Sequence, residues 1–234
     1  MKQIDAFDFW YAVNNTEVVL TPKGHLETFG TTVLHYHLIS ELMDTVGQIR
    51  VREGRIRAGR PQIVTPEAYQ KTLLEGFGEE AERYIEWMRE HERDMRVLQY
   101  GYSLRRESFN EYLVSDSLAS VVERVKQDVG GSDDPMSAVV VGVDKPWDVC
   151  LVKLFREVIQ QSAMTNIREM ERKQCFDDVD GLPRGVRNEI EADFLHASKT
   201  PTLVNPLAEK LQRLGVFEEY EDRFFSLVKA TRGM

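Results

Sequence analysis

Five arginines fall within eleven residues: Arg50, Arg52, Arg55, Arg57 and Arg60. Over 48–61 only Glu53 opposes them, so the segment carries a net +4 in a chain of net −9. A guanidinium is a planar fork of donors that matches phosphate or carboxylate. Strand side chains alternate faces, which puts Arg50 with Arg52 and Arg55 with Arg57. Glu53-Gly54 reads as a two-residue turn joining strands 48–52 and 55–59, the whole an arginine-rich hairpin. Arg52 and Arg55 then stand opposite each other, and like charges so placed destabilise a hairpin by about 0.2–1 kcal/mol. Such a pair is kept by splaying into water, where charge also protects a sheet edge, or by holding an anion. The five arginines are therefore the candidate surface for an anion, an acidic partner or nucleic-acid phosphate. No aromatic residue interleaves with them, which argues against stacking of single-stranded bases.

His35, Tyr36 and His37 with Glu41 form the second constellation. On a strand the two imidazoles point the same way, about 7 Å apart. Two imidazoles and a carboxylate are the beginning of a divalent-metal site. The segment Gly30-x4-His35-x-His37-x3-Glu41-x5-Gly47 resembles the first motif of the cupins, one residue short at each glycine. The resemblance covers about 18 residues of 234. It implies a β-barrel with His35, His37 and Glu41 as metal ligands. The second cupin motif has no counterpart, because no histidine lies between His37 and His91. Read from the residues themselves, the pair are half-buried strand histidines, and no tightly held ion or other cofactor is expected.

Other chemistry finds no motif. GxGxxG, Walker, HExxH and GxSxG patterns are absent. Asp178-Val179-Asp180-Gly181 hints at a calcium loop, but Phe176 and Arg187 occupy the first and twelfth ligand positions. The glutamates of 79–92 lack the Glu-x-x-His step of a di-iron helix. Asp144 lies between a buried strand and a helix, where capping accounts for it without catalysis.

The elements that carry these residues change period along the chain. Residues 9–13 and 17–20 read as strands flanking an Asn14-Asn15 turn, and 31–39 as a strand rich in β-branched and aromatic residues. Thr65-Pro66 supplies a helix start. Phe77, Ala81, Tyr84, Met88, His91, Met95 and Leu98 then recur at helical steps, with a shorter helix at 66–75. Residues 100–114 lean towards strand, and 118–129 towards helix. Ala138–Val143 reads as a buried strand. After Asp144 and Pro146, a helix apolar over a wide arc predicts that Leu151, Phe155, Val158 and Ile159 lie in the core. A loop over 177–183 precedes helices at 184–198, 206–214 and 217–230. The class is α+β, with a β-rich part over 1–65 and a mainly helical part over 66–234. One continuous domain is as compatible with this pattern as two.

At 42% hydrophobic and 29% charged residues, the chain is of globular composition rather than collagen-like or disordered. Net charge −9 excludes a generally basic coat for nucleic acid. Asp5 and Asp8 interrupt the first ten residues, and the longest apolar run, 138–143, is far below the roughly 20 residues of a membrane helix. Cys150 and Cys175 form no CxxC pair. A cytoplasmic protein acting by binding is the expectation, with a homo-oligomer or protein partner and no membrane. A phosphate- or RNA-binding accessory role and a metal-dependent enzyme are the alternatives.

Overall fold

The computed structural model describes residues 6–45, 47–59, 62–63, 74–75, 79, 83 and 100–232. They divide into two compact units: residues up to 59 with 74–75, 79, 83 and 102–166, and residues 62–63, 100–101 and 167–232. Arg60, the helix read at 66–75 and the helix read from Phe77 to Leu98 lie outside the described residues, apart from Glu79, Arg83 and residues 74–75, which are strand rather than helix.

The first unit is built on a sheet. Its strands are β1 (Glu17–Leu20), β2 (Thr32–Glu41), β3 (Gln48–Ala58), β5 (Leu74–Glu75), β7 (Leu104–Ser115) and β8 (Ser137–Gly142). The spatial order is β1-β8-β2-β3-β7-β5. β2 pairs antiparallel with β3 along its whole length and parallel with β8. β8 is the apolar run that the sequence marks as a buried strand, and Ala138, Val139 and Val140 are fully buried. A helix packs on each face of the sheet. Helix α2 (Leu118–Gly130), capped by the Ser117 hydroxyl on Ser120 N–H, sets Val121, Val125 and Val129 against Ile39, Ile49, Val51 and Val139. Helix α3 (Trp147–Arg172) sets Val149, Leu151, Leu154, Phe155 and Val158 against Leu34, Tyr36, Leu38, Ile56 and Val140. The fold is thus α+β, and the sheet is open where a cupin barrel would close.

The turn at Glu53-Gly54 does not exist. β3 is one unbroken strand, paired with β2 on one side and β7 on the other. Gly54 serves close approach instead, because a Cβ there would lie 2.6 Å from the Tyr36 hydroxyl oxygen. The reversal occurs earlier, between β2 and β3, where Gly47 adopts φ +74°. Arg52 and Arg55 therefore sit on opposite faces of one strand rather than opposite each other.

The hairpin read at the N-terminus is also replaced. Ala6–Asn14 is helix α1. Its last carbonyls are taken up by Thr16 Oγ1 on Ala12 O at 2.6 Å and by Lys153 Nζ on Val13 O at 2.9 Å. A helix end satisfied in this way outweighs the strand preference of Phe9 to Val13. Ile159 is only partly buried, so the core face of α3 is narrower than its apolar composition suggests.

In the second unit, α4 (Arg184–Lys199), α5 (Val204–Arg213) and α6 (Phe217–Arg232) pack around Val186, Ile190, Phe194, Leu207, Leu211, Tyr220 and Phe224. A short ribbon, β9 (Asp178–Val179) with β10 (Leu182–Pro183), lies within the loop read over 177–183. A second ribbon joins β4 (Gln62–Ile63) and β6 (Tyr100–Gly101). Among the described residues no helix is long and apolar enough to cross a membrane.

Candidate functional site

Two polar clusters lie on opposite faces of the sheet in the first unit. Arg50 and Arg52 share the face under α3, as their spacing predicts. Asp144, in the β8–α3 connection, gathers both. Arg50 Nη1 donates to its two carboxylate oxygens at 2.8 and 3.1 Å, and Arg52 Nη2 donates to Oδ1 at 2.7 Å. Arg52 is 3% exposed and also donates to Ser40 Oγ and Glu111 Oε2, each at 3.3 Å. Its guanidinium lies 4.9 Å from the Trp147 ring centre, and that of Arg106 lies 4.6 Å from it. Arg106 is bonded to Asp148. Asp144 therefore joins two cations, a role that a local reading as a helix cap does not contain.

Under this cluster the Tyr36 hydroxyl is buried without a hydrogen-bond partner among the described residues. Burial, aided by Asp148 and opposed by Arg106 and Arg52, pushes its pKa up to about 12, so it remains a neutral phenol.

Arg55 and Arg57 occupy the other face. Arg57 donates to Glu107 Oε1 from Nε at 3.0 Å and Nη2 at 2.8 Å, and Arg55 Nε lies 3.6 Å from Oε2. The Arg57 hydrogen bonds hold the Glu107 carboxyl below the usual glutamate value. The five arginines read as one surface are thus divided: two under α3, two on the opposite face, and Arg60 outside the described residues.

His35, His37 and Glu41 share that second face, as alternation requires. They do not converge. His35 Nδ1 is bonded to Asp134, His37 Nδ1 lies 3.5 Å from Glu53 Oε1, and Glu41 is exposed. Among the described residues no three His, Cys, Asp or Glu side chains are grouped to hold a metal ion. Burial opposes ionisation of Asp134, but hydrogen bonds from Met136 N–H, the Ser137 hydroxyl and His35 outweigh it and hold the carboxyl below the usual value. A depressed carboxyl contributes stability above the ordinary aspartate pKa and loses it as pH falls through the folded value. Asp134→Asn is expected to flatten the acid limb of stability below about pH 4. Urea melts across pH 2–6 check this, and an unchanged acid slope would refute the Asp134 contribution.

Beside His37 a cleft of about 120 Å³ opens between α2 and the β3–β7 side of the sheet. Val51, Val114, Val121, Val125 and Val129 form its apolar wall, and His37, Glu53, Tyr112, Arg124 and Asp128 its polar one. The Tyr112 hydroxyl donates to Glu53 Oε1 at 2.8 Å. Burial and that bond raise the Tyr112 pKa to about 12, so the donor stays protonated. Arg124 lies 3.8 Å from Asp116. The cleft lies at the border of α2, which packs over β1, β8, β2 and the Ile49 and Val51 side chains of β3. Beyond it on the same face, Arg55, Arg57, Asn110 and Tyr112 are exposed.

No family model, curated protein or solved structure matches the chain. The cleft set of Glu53, Tyr112, Arg124 and Asp128 was not visible as a site in the sequence. The available signal was Arg124 and Asp128 four apart on α2, which place two charges on one helical face.

Proposed function

We propose that this protein works by binding, with the α2–β7 cleft receiving one side chain of a protein partner. The observation that carries it is the cleft's combination of size and lining. Pockets for whole small ligands run to about 300–1,000 Å³. At about 120 Å³ this one suits a single anchoring side chain, with an apolar wall for its stem and charged groups for its tip. Neighbouring β7 supports the same reading, because residues 108–113 are exposed on both faces. Phe109, Tyr112 and Leu113 are among them, at 36%, 44% and 53% exposure.

Selection from a displayed library of random ten-residue peptides tests it. Enriched peptides are expected to bind the wild-type protein and to lose binding to Asp128→Trp, which places an indole across the cleft from an exposed position on α2. A thermal melt of that variant confirms that it folds. A library yielding no peptide that distinguishes the two proteins would overturn the proposal.

A further inference from the structure

We infer that the partner segment is an extended strand that adds to the outer edge of β7, carrying a Lys or Arg into the cleft and an acidic residue four positions away. The inference rests on the binding reading and names the chemistry of the partner. Backbone geometry supplies the first part. Among the described residues β7 has one outer neighbour, β5, and it pairs only at Leu74–Leu104 and Glu75–Arg105. Residues 109–115 are paired on their inner side with β3. Their outward N–H and C=O groups form the kind of edge on which extended peptides add as a further strand, with alternate side chains entering adjacent pockets. A strand laid there runs about 4.8 Å from β7, next to the cleft mouth formed by Tyr112 and α2.

Charge supplies the second part. The cleft end of this face holds Glu53 and Asp128, with Arg124 turned towards Asp116. The other end holds Arg55 and Arg57, both more than half exposed, sharing the single carboxylate of Glu107. The surface beside β7 thus runs from net acidic to net basic. Same-face positions on a strand repeat every second residue, so a four-residue step spans about 13 Å and keeps both partner charges on the α2 side. A cationic side chain suits the cleft further, since its methylene stem packs on the valine wall while its head reaches Glu53.

The test uses the full chain and synthetic ten-residue Thr/Val peptides. One carries Lys and Glu four residues apart, on one face. A second has the same composition with the pair five apart, on opposite faces, a contrast that holds for either strand direction. Fluorescence anisotropy is expected to give at least about tenfold tighter binding of the first peptide. Asp128→Asn with Glu53→Gln is expected to erase most of that difference. Amide hydrogen exchange is expected to slow at 108–113 when the first peptide binds. Equal affinity of the two peptides would overturn the charge assignment. Peptides that bind wild type and not Asp128→Trp while 108–113 exchange unchanged would overturn strand addition and leave the binding reading intact. Protection of the same amides by raising protein concentration without peptide would make the edge an interface between copies, and would also overturn the inference.

Discussion

Asp144→Ala is expected to lower the unfolding free energy by about 3–5 kcal/mol, the range for removing one partner of a buried ion pair. The size follows from what remains. Arg52, 3% exposed, keeps Ser40 and the half-exposed Glu111 but loses its closest carboxylate contact, at 2.7 Å. Arg50 loses both of its bonds to Asp144, though at 23% side-chain exposure it can recover water. The cost is thus mainly that of a desolvated guanidinium left with only the half-exposed Glu111 carboxylate, and not the net worth of the pair. A double variant separates the two quantities. Arg52→Met with Asp144→Leu removes both charges of the pair and is expected to recover most of the loss, the Met side chain packing against Trp147. Urea melts of the wild type, the single variant and the double variant decide it. A single-variant loss below about 1 kcal/mol would mean that Arg52 finds water or another acceptor on relaxing.

Phe155→Ala is expected to cost a similar amount, about 3–5 kcal/mol, by a different route. Phe155 is 1% exposed in the core between α3 and the sheet, with Leu151, Leu154 and Val158 around it. Its ring meets that of Tyr102 edge-on, with centroids 6.3 Å apart. Truncation removes the transfer energy of the ring and leaves a cavity that a β-sheet on one side and a helix on the other cannot collapse to fill. Phe155→Leu keeps most of the volume and should lose clearly less. Equal losses for the two variants, or a loss below about 1 kcal/mol for alanine, would show that α3 shifts to close the space.

The core position of Phe155 is legible in the sequence. Leu151, Phe155 and Val158 fall on the apolar arc of a helix, and periodicity is a local property that survives whatever the helix packs against. The same holds for the valines of α2 and for the apolar run of β8. Gly54 was misread because glycine carries two meanings in a strand-like segment: a turn, or room for a neighbour. Which applies depends on Tyr36, its cross-strand partner in β2. The N-terminal helix was misread for a comparable reason. The lysine that takes up its terminal carbonyl is 140 residues away from Val13.

The candidate sites divide along the same line. Alternation alone places Arg50 with Arg52 and His35 with His37, because the period of a strand is set by its own backbone. It says nothing of who meets them. Arg50 and Arg52 find Asp144 across 94 and 92 residues of chain, and His35 finds Asp134 across 99. Those meetings depend on β8 lying parallel to β2 and antiparallel to β1, an order no local window of residues specifies. The cleft is later still. Its lining comes from β2, β3, β7 and α2, and it lies where α2, settled over β1, β8, β2 and the Ile49 and Val51 side chains of β3, meets the exposed Tyr112 of β7. Periodicity, burial propensity and capping are written residue by residue. Ion-pair partners and clefts depend on sheet order and helix placement, which come from burying many apolar side chains together.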